Sequence, residues 1–266
     1  MTATAPYWHI DAFAARPFAG NQAAVIELAE WLPDSVLQQI AAENMFSETA
    51  FLLRDASEVA DWELRWFTPE YEIRLCGHAT LASGHALLGR DGGTRVTFRT
   101  RRAGMLEVRV DGDGYCVALP AIPVQRTDWP EGAGPLGTKP QEVWRHPAGY
   151  NVFLFAGEEE VRTLAPDMAG LARLGPDHQF ICTAVGSATD VVSRVFVPGA
   201  GIPEDPVTGS AHAVLAGFWA PRLGRDSFTA HQASERGGDI ACRLDGNRVW
   251  LTGQCVTIVE GQFRLP

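Results

Sequence analysis

The sequence predicts an α+β protein built as two similar domains. Three observations carry that expectation. Segments of strand character outnumber helical ones and do not alternate regularly with them, which disfavours a doubly wound parallel sheet. A stretch from Pro120 to Pro140 holds five prolines and interrupts the pattern near mid-chain, as a linker would. A set of residues in the first half recurs, in order, in the second.

Taken in order, YWHIDAF reads as a strand, and AARPFAGNQAAVIEL as a turn leading into another. LPDSVLQQIAAENMF places Leu32, Val36, Leu37 and Ile40 at helical spacing, with Asp34 or Ser35 as its cap. ETAFLL returns to a strand, and WELRWFTP alternates and stops at Pro69. A helix over about 76–88, ended by Gly89, comes next, followed by the strand-like RVTFRT, MLEVRV and YCVALP. Beyond the proline-rich stretch, NVFLFA, FICTAV and VVSRVFVP are strand-like and EEEVRTLA is helical. A helix over about 208–219 precedes two closing strands, RVWLTG and CVTIVEG.

The recurrence is specific. Arg65-Trp66-Phe67-Thr68-Pro69 matches Arg194-Val195-Phe196-Val197-Pro198 at an offset of 129, and Cys76-Gly77-His78-Ala79 matches Thr208-Gly209-Ser210-Ala211 at an offset of 132. The second half therefore carries a three-residue insertion, for which GIPEDP is the natural place. Each copy is a strand, a proline stop, a loop, then a helix that opens on glycine. A helix start leaves backbone N–H groups unpaired and carries partial positive charge, and glycine admits a ligand close to both. Two such starts facing one cleft would hold a small anion such as a carboxylate.

Composition narrows the partners. The chain has 266 residues, is 46% hydrophobic and carries a net charge of −10. That is enough for a substantial core, and it argues against nucleic-acid or acidic-membrane binding, which needs basic surface. The only dense basic cluster, Arg99, Arg101 and Arg102, reads as a solvated strand end. Five cysteines, widely spaced and without C-x-x-C, give neither a disulfide framework nor a zinc motif and fit a reducing cytosol. No leader and no membrane span are expected from the N-terminal residues or from any apolar run.

Several residues are candidates for chemistry. His78 falls in the first helical turn, where the dipole favours a neutral imidazole; the plainer reading is a ring that bonds a neighbour. Asp205, in EDPVTGS, either caps the helix, as Thr208 also could, or stands beside an anion site to orient a substrate or a catalytic histidine. Glu48 opens an apolar strand, where partial burial makes a carboxyl a better proton carrier; the alternative is an exposed strand end. Cys76 is either a thiolate activated by the helix start or a small, buried, inert residue. Asn21 either turns the chain or reaches a ligand. No G-x-S-x-G, G-x-G-x-x-G after a strand, or Walker sequence occurs, so nucleotide cofactors have no visible seat.

DAFAARPFAGNQAAV, NMFSETAFL, RWFTPEYEIRLCGHATLASGHAL and EDPVTGSAHAVLAGFW stand in the order and spacing of the phenazine-biosynthesis isomerases, the PhzF-like family. The chain resembles that family over nearly its whole length. The resemblance implies a diaminopimelate-epimerase-like fold: two pseudo-symmetric domains, each a mostly antiparallel β-barrel around a central helix, with the active site between them. Domains over 1–119 plus about 256–266, and over about 125–255, are expected. It further implies cofactor-free acid/base catalysis, with neither cofactor nor metal. Glu48 would move a proton between carbon positions, and His78 and Asp205 would hold or polarise the substrate. Asn21, Cys76, Gly77, Thr208, Gly209 and Ser210 would bind a small carboxylate-bearing substrate. The epimerase's two thiols fall on Cys76 and Thr208, so thiol-pair chemistry is broken here. Gln22 stands where the family has proline, and QASERGGDI replaces a commoner run. The alternatives are a one-base epimerase or racemase using Cys76 and a small-anion binding protein without chemistry. A cytoplasmic homodimer is the expected state.

Overall fold

A computed structural model describes residues 3–266; the first two residues of the expected N-terminal domain and leaderless start lie outside it. Packing divides the chain into two units, one running up to Ala118 and taking up Thr252–Pro266, the other Leu119–Leu251. The first holds β1 (Thr4–Ala12), β2 (Asn21–Leu28), α1 (Asp34–Asn44), β3 (Glu48–Arg54), β4 (Trp62–Phe67), β5 (Glu72–Ile73), α2 (Gly77–Asp91), β6 (Arg95–Thr100) and β7 (Met105–Asp111). The chain leaves it along β8 (Gly114–Pro120). The second unit holds β9 (Gln125–Thr127), α3 (Pro130–Ala133), β10 (Glu142–Arg145), β11 (Tyr150–Leu154), α4 (Glu158–Arg162), α5 (Met168–Ala172), β12 (Gln179–Val185) and β13 (Val191–Phe196). It continues with β14 (Glu204–Asp205), α6 (Gly209–Leu223), β15 (Ser227–Gln232) and β16 (Gly238–Asp245). The chain returns along β17 (Arg248–Gly253), and β18 (Cys255–Arg264) pairs antiparallel with β1.

The two units repeat one pairing scheme. In the first, β2 and β3 are parallel, β3–β4 and β4–β5 antiparallel, β4–β6 parallel and β6–β7 antiparallel. In the second, β11–β12, β12–β13, β13–β14, β13–β15 and β15–β16 follow the same sequence of senses. The duplication reaches side chains. Arg65 grips Glu72 with Nε at 2.7 Å and Nη2 at 2.9 Å, and Arg194 grips Glu204 at 2.8 Å through the same two atoms. Each guanidinium also lies over the phenylalanine two residues on, at 5.0 Å for Phe67 and 4.8 Å for Phe196. The three extra residues of the second copy thus fall between Arg194 and Glu204, where a 3-10 turn, Pro198–Ala200, is inserted.

Each unit is organised around its long helix. From Gly77 through Gly84 every residue of α2 is buried, on all faces, as expected of a helix enclosed by strands. It is flanked by β1, β2, β3, β6, β7 and β18. Small residues make the enclosure possible. A Cβ at Gly84 would stand 2.3 Å from Val108 Cγ1, whereas one at Gly89 would meet nothing. Gly84→Ala is therefore expected to cost about 1–3 kcal/mol by overpacking. Gly89→Ala in the same helix should gain about 0.5–1 kcal/mol by helix propensity. Urea denaturation of the two variants reads the opposite signs.

Several elements differ from the sequence expectation. The α2 helix continues through Gly89 to Asp91, because Gly89 faces solvent and the helix is ended at Gly92, whose φ of 77° favours glycine. Likewise α6 passes Trp219 to Leu223 and stops at Gly224, with φ 66°. Neither Asp34 nor Ser35 caps α1, whose N-cap residue is Pro33; Asp34 instead accepts a hydrogen bond from Arg65 Nη2 at 2.9 Å. Residues 120–140 are not a free linker. Within them Leu136 is buried and the Trp129 ring stacks on Phe153 and Phe180, which anchors the segment in the second unit's core. No helix among the described residues is long and apolar enough to cross a membrane.

Candidate active site

The first unit brings four of the expected residues together. Asn21 opens β2, Glu48 opens β3, Cys76 is the N-cap residue of α2, and His78 lies in that helix's first turn. The parallel register sets Glu48 beside Ala23, two residues on from Asn21. Glu48 Oε2 lies 3.0 Å from His78 Nε2. The Asn21 amide lies 3.2 Å from the other ring nitrogen, Nδ1, and its Oδ1 accepts from Ser47 Oγ at 3.1 Å. The Cys76 sulfur is 3.5 Å from Nδ1 and 4.0 Å from Nε2. Asn21, Cys76 and His78 are buried, and Glu48 keeps a 15% exposed side chain.

This geometry reverses one expectation. His78 is not a neutral imidazole set by the helix dipole. Burial does act to lower its pKa, but the Cys76 sulfur and the Glu48 carboxylate beside it hold the ring well above 6.5. Cys76 itself is pushed up to about 11, first by burial and then by the Glu48 charge. It is a thiol at neutral pH, so the lasting support for imidazolium is Glu48. A carboxylate in direct contact outweighs the partial charge of a helix end. The thiol belongs to the inert alternative rather than the activated one.

Among the described residues, Glu48, Cys76 and His78 also form the one group that presents three metal-ligand atoms, all within 4.8 Å of one another. A metal there would have to displace the protons of both Cys76 and His78.

The second unit assembles its own set. Asp205 lies in β14, Thr208 is the N-cap residue of α6, and Gly209 and Ser210 begin the helix. Thr208 does not cap α6 with its side chain; its Oγ1 instead donates to Asp205 Oδ2 at 2.6 Å. Gln232, fully buried at the end of β15, ties this turn together. Its Oε1 accepts from Thr208 N at 2.8 Å, and its Nε2 donates to the Asp205 carbonyl at 2.6 Å. Intrahelical bonding begins at Thr80 N in α2 and at His212 N in α6, each reaching the carbonyl of its N-cap residue. Gly77, His78 and Ala79, and Gly209, Ser210 and Ala211, are thus left without partners inside their helices.

Gln179 and Gln232 were not singled out from sequence. Gln179 is the register counterpart of Glu48. Each is the first residue of the strand that runs parallel to its neighbour, and Phe51 and Cys182, three residues on from each, face Arg65 and Arg194. Glu48 meets His78; Gln179 meets Ser210, its Nε2 donating to Oγ at 3.3 Å. The repeat offsets of 129 and 132 do not lead from Glu48 to Gln179, because the hairpin from Phe51 to Arg65 is two residues longer than that from Cys182 to Arg194; only the strand register shows the pair.

One further pair shows how the copies diverged. Thr80 Oγ1 donates to the Cys76 carbonyl at 2.5 Å, and His212, its counterpart, reaches the Thr208 carbonyl through Nδ1 at 2.8 Å. His212 is fully buried, and burial lowers its pKa to about 4. A folded pKa below the unfolded 6.5 means that the unfolded chain binds the proton first. Stability from this group is therefore complete above about 6.5 and is lost as pH falls towards 4, by up to about 3 kcal/mol. His212→Thr, which copies the first unit, is expected to flatten that slope in denaturation midpoints taken between pH 4 and 7.

Residues 10–261 match the family model described as phenazine biosynthesis-like protein. An uncharacterised isomerase of Pseudomonas aeruginosa is 44% identical over 262 residues, 97% of this chain and 98% of the relative. The crystal structure of a PhzF-family protein from Enterococcus faecalis superposes with a TM-score of 0.89 at 39% identity, covering 98% of this chain and 99% of that one. A hydroxyproline epimerase from Agrobacterium vitis, 13% identical, shares the fold at a TM-score of 0.61 over all of this chain and 94% of its own. The α+β fold of two similar epimerase-like halves is thereby established.

Proposed function

This chain belongs to the phenazine biosynthesis-like protein family, and from that premise we propose that it is a cofactor-independent isomerase acting on a small carboxylate-bearing substrate. The observation that carries the proposal is the contact of 3.0 Å between the Glu48 carboxylate and the buried His78 ring at the start of α2. Glu48 takes a proton from one carbon of the substrate and returns it to another. His78, held as imidazolium by that carboxylate, stabilises the negative charge that develops while the carbon is deprotonated. The proposal assigns Asp205 and the N–H groups of Gly209 and Ser210 to the same reaction, as partners of the substrate's polar groups. Asn21 orients the ring of His78, and Gln232 keeps Asp205 and Thr208 in place.

Against the one-base thiol alternative stands the Cys76 thiol, pushed up to about 11, which leaves almost no thiolate at neutral pH. Cys76→Ala is accordingly expected to keep turnover within about tenfold, while Asp205→Asn lowers it by about 10²-fold. Steady-state assays on a substrate found by screening metabolites in deuterated water test both. A loss with Cys76→Ala that exceeds the loss with Asp205→Asn would reverse the assignment.

A further inference from the structure

Four arginines of the first unit, Arg65, Arg74, Arg101 and Arg102, line one narrow surface crevice that is too tight as it stands to admit a water molecule. In an acidic chain this is an unusual concentration of positive charge. Two carboxylates pair with these arginines: Asp34 and Glu72 each bond Arg65 and contact Arg101, the latter at 3.5 and 3.4 Å. Four guanidinium groups against two carboxylates leave two positive charges uncompensated. Arg74 and Arg102 are exposed and carry no hydrogen bond or ion pair among the described residues.

Arg65 supplies an independent sign of a missing partner. Its side chain is 2% exposed, Nε and Nη2 are bonded, and Nη1 is buried with no acceptor at all. Leaving such a charged donor unmet costs folding free energy. The internal duplicate shows what belongs there. In the second unit Arg194 Nη1 donates to two carbonyl oxygens, those of Arg162 at 3.1 Å and Leu164 at 2.7 Å. The first unit keeps the arginine, its glutamate and its aromatic neighbour but has no oxygen in that position.

We propose that the crevice bounded by Arg65, Arg74, Arg101 and Arg102 binds a doubly charged tetrahedral oxyanion of the phosphate type, with an oxygen of that anion accepting from Arg65 Nη1. Guanidinium forks match phosphate oxygens two at a time, and a dianion neutralises the charge left over by Asp34 and Glu72. The crevice is tight as it stands, so the exposed outer side chains of Arg74, Arg101 and Arg102 must part and reclose over the ligand. Neither Glu48 nor His78 lines the crevice.

Calorimetric titration of the whole protein with inorganic phosphate, at ionic strength held constant with sodium chloride, tests the proposal. Saturable binding with one phosphate per chain and a Kd of about 1 mM or tighter is expected, with Tm raised by about 2–4 °C at saturation. Arg74→Ala with Arg102→Ala should weaken binding at least ~10-fold, as should Arg102→Glu alone, with unchanged unfolding in phosphate-free buffer. Phenyl phosphate, run in parallel, separates a free ion from a phosphate carried on a larger molecule. Tighter binding of the ester assigns the carried group; equal or weaker binding assigns the free ion. Heat and Tm changes no larger than those given by chloride, or an unchanged Kd in both variants, would overturn the proposal.

Discussion

Glu48→Gln lowers turnover by about 10²–10⁴-fold and leaves substrate affinity within a few-fold. The exchange keeps the shape of the side chain and removes its ability to accept a proton from carbon, so the loss falls on kcat rather than on KM. The same substitution also acts on its neighbour. With the carboxylate gone, burial is left to dominate at His78, and the ring's pKa drops from its raised position. An NMR titration of the His78 ring in both proteins reads this without any substrate. In the parent the ring stays protonated well above pH 6.5; in the variant it deprotonates at lower pH. For folding, the raised pKa means that the contribution of His78 is fully present below pH 6.5 and is lost as pH rises through the folded value. Glu48→Gln should remove that alkaline decline along with the activity.

The second large effect is structural. Arg194→Met is expected to destabilise the fold by about 3–5 kcal/mol in urea or guanidinium denaturation. The substitution preserves much of the apolar stem over Phe196 but removes both bonds to Glu204 and both carbonyl contacts, to Arg162 and Leu164. It leaves Glu204, whose side chain is 19% exposed, as a charge without its partner. Adding Glu204→Gln to Arg194→Met should recover part of the loss, since the uncompensated charge then disappears. A recovery of nothing would mean that the carbonyl contacts, and not the ion pair, hold the turn before β14.

The same arginines explain how much could be read beforehand. Arg65 and Arg194 were visible as the ends of a repeat because each is followed by an aromatic residue and a proline stop, a local pattern. Glu72 and Glu204, their partners, complete the repeat only once the inserted turn is placed, and that insertion is invisible until pairing is known. At the site, Glu48, His78 and Asp205 were legible through short motifs. The charge of His78 was not, because it is set by a carboxylate thirty residues upstream that only the parallel pairing of β2 and β3 delivers. Gln232 opens QASERGGDI, which the sequence marked only as a departure from the family's run; its role needed the pairing of β15, since it is fully buried with bonds to Asp205 and Thr208. The end of α2 was misplaced because a glycine inside a helix and one that ends it look alike until φ is known, and α6 runs past its expected end at Trp219 with Pro221 inside the helix.

The most direct test of proton transfer by Glu48 is solvent labelling. Incubating the protein with a pool of small carboxylic acids in deuterated water, followed by mass spectrometry, should show at least one acid gaining a carbon-bound deuterium at a rate that Glu48→Gln cuts by about 10²-fold or more. Labelling of that acid by Glu48→Gln at the parent rate would contradict the account.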